Sequence, residues 1–110
     1  MDFQAEKIGD VMHVLLMTDT MDANNSKEFK AAMAPIIAEN TKVVLGMNQI
    51  NFVDSSGCGA LLSCLRQLSN AGGDLKVYGL RKRVRTLFEL VRLHRIIDIF
   101  NTKEEAVSSF

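Results

Sequence analysis

Two serines follow an aspartate and precede a Gly-x-Gly in the segment Phe52 to Gly59, which reads FVDSSGCG. A hydroxyl at this position could cap a helix, attack a substrate, hold a phosphate or accept one. Capping of the following helix by Ser55 or Ser56 would contribute about 1 kcal/mol. Gly57 and Gly59 would let the first turn pack close to a neighbour. Capping alone, however, leaves one serine and the second glycine without a role.

The spacing disfavours catalysis at these serines. A nucleophile elbow requires Gly-x-Ser-x-Gly and a histidine base, whereas both glycines follow the serines and the chain has only His13 and His94. A Walker loop requires Gly-Lys-Ser/Thr, which is absent, and a dinucleotide fingerprint requires a third glycine where Leu62 stands. The sequence therefore predicts a protein that is not an enzyme.

Phosphorylation of a serine is the remaining interpretation. A hydroxyl at an exposed turn between a strand and a helix is accessible to a kinase, and the phosphate adds about −1.5 to −2 charges. That charge would lie beside Asp54 and, if two strand ends meet, beside Asp22. The surface would then change while the fold is kept, as in an interaction switch.

Strands and helices that alternate along the chain are predicted to position this motif. Such an order indicates right-handed crossovers and a largely parallel sheet, made mixed by an initial hairpin at Gly9-Asp10. Sites in such sheets gather where strands end and helices begin. The predicted strands are Phe3–Ile8, Val11–Thr18, Lys42–Met47 and Leu75–Tyr78, with a last short strand within His94–Phe100.

Helices are expected on the intervening amphipathic segments. In the first helix Pro35 is expected to cause a kink or a split, because proline removes a backbone donor. A basic helix is predicted over Arg81–Leu93, and a terminal helix over Lys103–Ser108. The inward face of the basic helix is predicted to consist of Val84, Leu87, Phe88 and Val91.

Composition narrows the class of protein. The 110 residues fit one domain, residues 1–110, and a net charge of zero argues against general binding to nucleic acid or anionic membranes. No apolar run is long enough to span a membrane, and the first residues lack the basic and apolar regions of a signal peptide, so a cytoplasmic location is expected. Cys58 and Cys64 fall about 9 Å apart on one helix, too far for a disulfide. Neither a metal site nor a cofactor is expected.

The motif and its context resemble the anti-sigma factor antagonists of bacteria, which carry the STAS domain. The resemblance covers almost the whole chain, and its implied fold is a single α/β domain with a mixed, mostly parallel sheet and about four helices. It is carried by FVDSSGCG and by the segments TMDANNSKEF, KVVLGMNQINFVDSSG, GGDLKVYGL and RVRTLFELVRLHRIIDIF.

The resemblance implies a phosphorylation switch at Ser55. The unphosphorylated form would bind a GHKL-type serine kinase anti-sigma factor and so release the sigma factor or another target. The kinase would phosphorylate Ser55, and a PPM-type phosphatase would reset it. Ser56 would cap the helix. The implied partner-binding region consists of Met21, Asp22, Asn24, Asp54, Ser56 and Gly57.

Two departures from the family pattern lie before the first helix, where Asp19 replaces a glycine and Met21 a leucine. The extra negative charge could alter partner preference. An alternative also stays open, since relatives of the fold serve as constitutive subunits of lipid-transport complexes or stressosomes. The sequence leaves the oligomeric state and the regulated output open.

Overall fold

The computed structural model describes all 110 residues as seven strands, four α-helices and one 3-10 turn. The predicted α/β fold with a mixed, mostly parallel sheet and four helices is confirmed. In chain order the elements are β1 (Phe3–Ile8), β2 (Val11–Leu16), β3 (Thr20–Met21), α1 (Ser26–Glu39), β4 (Lys42–Gly46), β5 (Phe52–Val53), α2 (Ser55–Asn70), β6 (Asp74–Tyr78), α3 (Lys82–Leu90), the 3-10 turn (Leu93–Arg95), β7 (Asp98–Phe100) and α4 (Lys103–Ser108).

The main sheet has five strands in the order β1-β2-β4-β6-β7. β1 pairs with β2 in antiparallel fashion, and the other neighbours are parallel. In the central strand β4, Val43, Val44 and Leu45 are fully buried, as expected for a parallel strand covered on both faces.

The two faces of the main sheet are covered unequally. A core of 22 buried residues lies on one face and includes apolar side chains of α1, α2 and α3, such as Phe29, Leu61 and Phe88. On the other face, Ala106 of the short helix α4 packs in a cluster of only four buried residues, which includes Val44 and Tyr78. Most of the buried apolar side chains therefore lie between the main sheet and the three longer helices, which pack on the same face of that sheet.

A second, two-stranded sheet carries the serine motif. β3 and β5 pair in parallel, with Thr20 opposite Phe52 and Met21 opposite Val53. The sequence did not predict β3, because two residues in a polar stretch provide no apolar periodicity. The motif thus follows a strand outside the main sheet, and this small sheet brings the residues after β3 next to those before α2.

The split that was one alternative at Pro35 and the predicted end of α3 are both wrong, whereas a kink at Pro35 stays a prediction. α1 is one helix across Pro35 and is not split. Both Pro35 and Ala31, whose carbonyl loses its intrahelical partner, are exposed, so water can satisfy that oxygen. α3 ends at Leu90, because Arg92 adopts a left-handed φ of 60°. The side chain of Val91, predicted to face inward, is 53% exposed.

Candidate functional site

Ser55 is the first residue of α2 and is exposed, as is Ser56. Phe52 and Val53 of β5 precede the turn, and the paired strand β3 holds that turn in place. Both hydroxyls therefore lie on the surface at the amino end of a 16-residue helix. The positive end of the helix dipole favours negative charge at this position.

Asp54, and neither serine, caps α2. Its backbone is extended, and its Oδ1 accepts a hydrogen bond of 3.0 Å from the N–H of Gly57. The expectation that Ser56 caps the helix is wrong, because the carboxylate one residue before the helix already binds the amide that a cap satisfies. The serine hydroxyls are consequently not needed for capping.

The Asp54 carboxylate also joins the two strand ends. Its Oδ2 accepts a hydrogen bond of 3.1 Å from the N–H of Ala23, and its own N–H donates to the carbonyl of Met21 at 3.2 Å. Backbone hydrogen bonds, that from Gly57 foremost, lower the pKa of Asp54 below its usual value of 3.8. The carboxylate is therefore ionised at neutral pH, directly beside Ser55.

Gly57 is required by a close approach of backbone to backbone. A Cβ atom at this position would lie 2.2 Å from the carbonyl oxygen of Met21. A Cβ at Gly59 would meet nothing within 4 Å. The prediction of close packing is thus correct for Gly57 and wrong for Gly59.

The residues expected to bind a partner divide into a surface set and a buried set. Met21 is fully buried and Gly57 is buried, so neither residue can contact a partner directly. Asn24 is exposed, and Asp22 is partly exposed with its Oδ1 accepting a 2.9 Å hydrogen bond from the N–H of Asn24. Met21 is apolar and paired with Val53, which explains its place in the core.

An apolar groove adjoins the serine motif and was not predicted. It encloses about 310 Å³ between α2 and the segment that ends α3, and Ser55 lies at its rim. Val91 and Ile96 line it, although they are 53% and 58% exposed. The sequence missed the groove because the apolar spacing of α3 continues past the residue at which the helix ends.

The two cysteines are free, buried thiols of α2. Burial raises the pKa of both, that of Cys64 to about 11, so neither is a thiolate at neutral pH. No three His, Cys, Asp or Glu side chains are grouped so that they could hold a metal ion. None of the helices combines the length and apolarity needed to cross a membrane.

The fold and the Asp-Ser-Ser-Gly turn define a STAS domain. The chain belongs to the STAS domain family, whose sequence model matches residues 2–106. It is 28% identical over 97 residues to an anti-sigma-B factor antagonist of Listeria monocytogenes, covering 80% of this chain and 85% of that protein. The anti-sigma-B factor antagonist of Bacillus subtilis is 24% identical over 87 residues, covering 79% and 80%. The resemblance to anti-sigma factor antagonists is confirmed.

A solved structure shares the architecture. The unphosphorylated form of the anti-sigma factor antagonist SpoIIAA superposes with a TM-score of 0.81 at 23% identity, over 98% of this chain and 95% of that one. The phosphorylated form of SpoIIAA from Bacillus gives a TM-score of 0.73 at 22% identity, over 98% of each chain. Both comparisons show the same fold.

Proposed function

We propose that this protein is an anti-sigma factor antagonist controlled by phosphorylation of Ser55 in the cytoplasm. Its unphosphorylated form binds a GHKL-type serine kinase anti-sigma factor, which then releases its sigma factor or other target. The kinase phosphorylates Ser55 and binding is lost, and a PPM-type phosphatase restores the active form. The proposal is for a binding protein without catalytic activity.

One observation carries the proposal: Ser55 is an exposed residue at the start of α2, and Asp54 rather than a serine caps the helix. A phosphate can be added there without breaking a capping bond or entering the core. The names of the curated relatives from Listeria and Bacillus support the same class of partner.

The electrostatics of the turn make the phosphate consequential for binding. The helix dipole accommodates a dianion at this end of α2, worth roughly 0.3–1 kcal/mol at an exposed site. The ionised Asp54, with Asp22 on the neighbouring turn, already makes this surface negative. A partner that binds the hydroxyl form must therefore approach acidic groups, and two further charges repel or desolvate it.

The test begins with a pull-down in which this protein is the bait and a kinase is recovered from the source organism. That kinase is then used to phosphorylate the protein. With ATP, mass spectrometry should place one phosphate on Ser55. Ser55→Ala should bind the kinase as the wild type does and stay unmodified, whereas Ser55→Asp should bind at least about tenfold more weakly. Ser56→Ala is the matched control and should be phosphorylated normally.

Three results would contradict the proposal. A phosphate found on Ser56 would show that Ser56, and not Ser55, is the phosphorylation site. Capture of an ATP-binding transporter subunit, with no kinase, would instead favour a constitutive subunit of a lipid-transport complex. Catalytic turnover that is lost in Ser55→Ala would make the protein an enzyme.

A further inference from the structure

The groove between α2 and α3 is apolar where the surrounding surface is charged. We call it the α2–α3 groove. Cys58 and Leu62 of α2 form one wall, and Leu87, Val91 and Ile96 form the other. Six of its eight lining residues are hydrophobic. Its volume of about 310 Å³ is large enough for two or three side chains of another molecule, since pockets for small ligands begin at roughly this size.

Exposed apolar side chains are concentrated around this groove. The chain has five large hydrophobic residues that are exposed, and three of them, Leu90, Val91 and Ile96, lie at the end of α3 and just beyond it. Leu90 is 76% exposed. Val91 and Ile96 line the groove and Leu90 adjoins Val91 in the chain, and exposed apolar side chains beside a concave surface are typical of an interaction site.

The chain segments that form the groove carry positively charged residues next to its lining. Residues 81–95 contain six Arg or Lys and one Glu, a formal charge of +5, so the rest of this neutral chain carries −5. Arg66 lies one turn beyond Leu62 on α2, and Arg92 and Arg95 lie between Val91 and Ile96; all three arginines are exposed. None of the five ion pairs of the protein involves an arginine. These charges are thus available to a partner.

The groove is acidic at the start of α2. Ser55 lines it there, and the ionised Asp54 precedes Ser55. Along α2 the groove therefore has a polarity, with the Asp54 carboxylate and the Ser55 hydroxyl at the helix start and Arg66 about three turns further on.

We propose that the α2–α3 groove binds an amphipathic acidic segment of a protein partner. Its apolar side chains would fill the groove, and its carboxylates would pair with Arg66, Arg92 and Arg95. The inference rests on the proposed function only in naming that partner as the kinase. A dianion on Ser55 would then face an apolar occupant that cannot hydrate it, so phosphorylation and docking exclude each other.

Other occupants fit less well. A two-fold pair of copies joined through this groove would bring equivalent arginines together. Single-stranded nucleic acid stacks its bases on aromatic side chains, and the lining has none. A membrane surface would contact protruding side chains but would leave a concave cavity unfilled.

The test uses two synthetic helical peptides of about 14 residues. Both carry leucines on one face, and the remaining positions are Glu in one and Lys in the other. In a titration of the 15N-labelled full chain, the Glu peptide should shift amides of residues 58–62 and 87–96. It should bind at least about tenfold more tightly than the Lys peptide and weaken as salt is raised.

Variants of exposed residues separate the apolar and charged contributions. Two double variants should each bind the Glu peptide at least about tenfold more weakly. One is Val91→Ser with Ile96→Ser, and the other is Arg66→Glu with Arg95→Glu. Lys27→Glu with Lys30→Glu, which makes the same charge change on the exposed face of α1, should leave the affinity unchanged. Circular dichroism melts confirm that each variant is folded.

The outcomes distinguish this inference from the proposed function. Equal affinity for the two peptides, shifts confined to other residues, binding to phosphatidylglycerol vesicles instead of the Glu peptide, or a dimer that Val91→Ser with Ile96→Ser dissolves would each overturn the groove proposal. If that happens while Ser55→Asp still releases the kinase, the proposed function stands. If the peptide maps to the groove and no kinase is captured, the groove proposal stands alone.

Discussion

Asp54 Oδ2 lies 3.1 Å from the backbone nitrogen of Ala23 and accepts its hydrogen bond, linking residues 31 positions apart in the chain. The other carboxylate oxygen caps α2 at Gly57. A single side chain therefore fixes the helix start and its position against the turn after β3. The location of Ser55 relative to Asp22 depends on this carboxylate.

Replacing Asp54 tests that dependence. Asp54→Ala should lower the melting temperature by several degrees and speed hydrogen exchange at the amides of Gly57 and Ala23, because both lose their acceptor. The melting temperature of Asp54→Asn should lie between those of the wild type and Asp54→Ala, since the amide oxygen of Asn still caps the helix. Exchange at Ala23 that is unchanged in Asp54→Ala would show that the carboxylate does not join the two turns.

Gly57 and Gly59 form a matched pair. Gly57→Ala should destabilise the protein by about 1–3 kcal/mol, because the new methyl group overlaps the Met21 carbonyl. Gly59→Ala meets open space inside a helix and should stabilise it by roughly 0.5–1 kcal/mol. Urea unfolding measures both. The same sign for the two variants would contradict the tight contact between α2 and β3.

His13 should make stability depend on pH. Its Nε2 lies 2.7 Å from Tyr78 Oη and its Nδ1 3.3 Å from Glu6, with Lys103 and Glu104 nearby. Burial, the largest effect, lowers the pKa of His13 below 6.5. The unfolded chain then binds the proton more readily, so stability is complete above pH 6.5 and falls as the pH drops from there to the folded-state pKa.

Urea unfolding at a series of pH values checks this expectation. His13→Gln should flatten the decline below pH 6.5, whereas His94→Gln, a change at an exposed position, should retain it. A histidine NMR titration with a midpoint above 6.5 for His13 would reverse the predicted sign.

Lys76 of β6 contacts the last two residues of the chain, Ser109 and Phe110. Its buried Nζ lies 2.9 Å from Ser109 Oγ, 3.2 Å from the Ser109 carbonyl and 4.5 Å from the centre of the Phe110 ring. Truncation after Ser108 should cost about 1–3 kcal/mol, because a buried ammonium loses both of its hydrogen bonds and keeps only the 3.7 Å ion pair with Asp98 and the Phe100 ring. The truncation should cost less in Lys76→Met, and an equal loss in both backgrounds would rule out Lys76 as the cause.

The main sheet and helices could be predicted from periodicity, because their apolar residues recur at strand and helix spacing over several turns. β3 and β5 have two residues each, and their pairing depends on contacts distant in sequence. For the same reason the sequence could not show that β3 buries Met21.

The candidate site was predictable in location and less so in detail. Ser55 was identified as the acceptor by family resemblance, and its role remains a prediction. The capping residue was misassigned because Asp54 and both serines are all good N-caps in sequence, and only the backbone angles choose between them. The end of α3 depends on the left-handed backbone conformation of Arg92, which no local sequence pattern predicts.

The cap supplied by Asp54 has a consequence for how cells could sense the state of this protein. Since neither serine hydroxyl holds the helix start in place, esterifying one leaves the backbone scaffold as it was. Two forms with nearly superimposable outlines would then circulate together. Any molecule that distinguishes them must respond to the charge and hydration of one position, and the electrostatic part of that discrimination would weaken in concentrated salt.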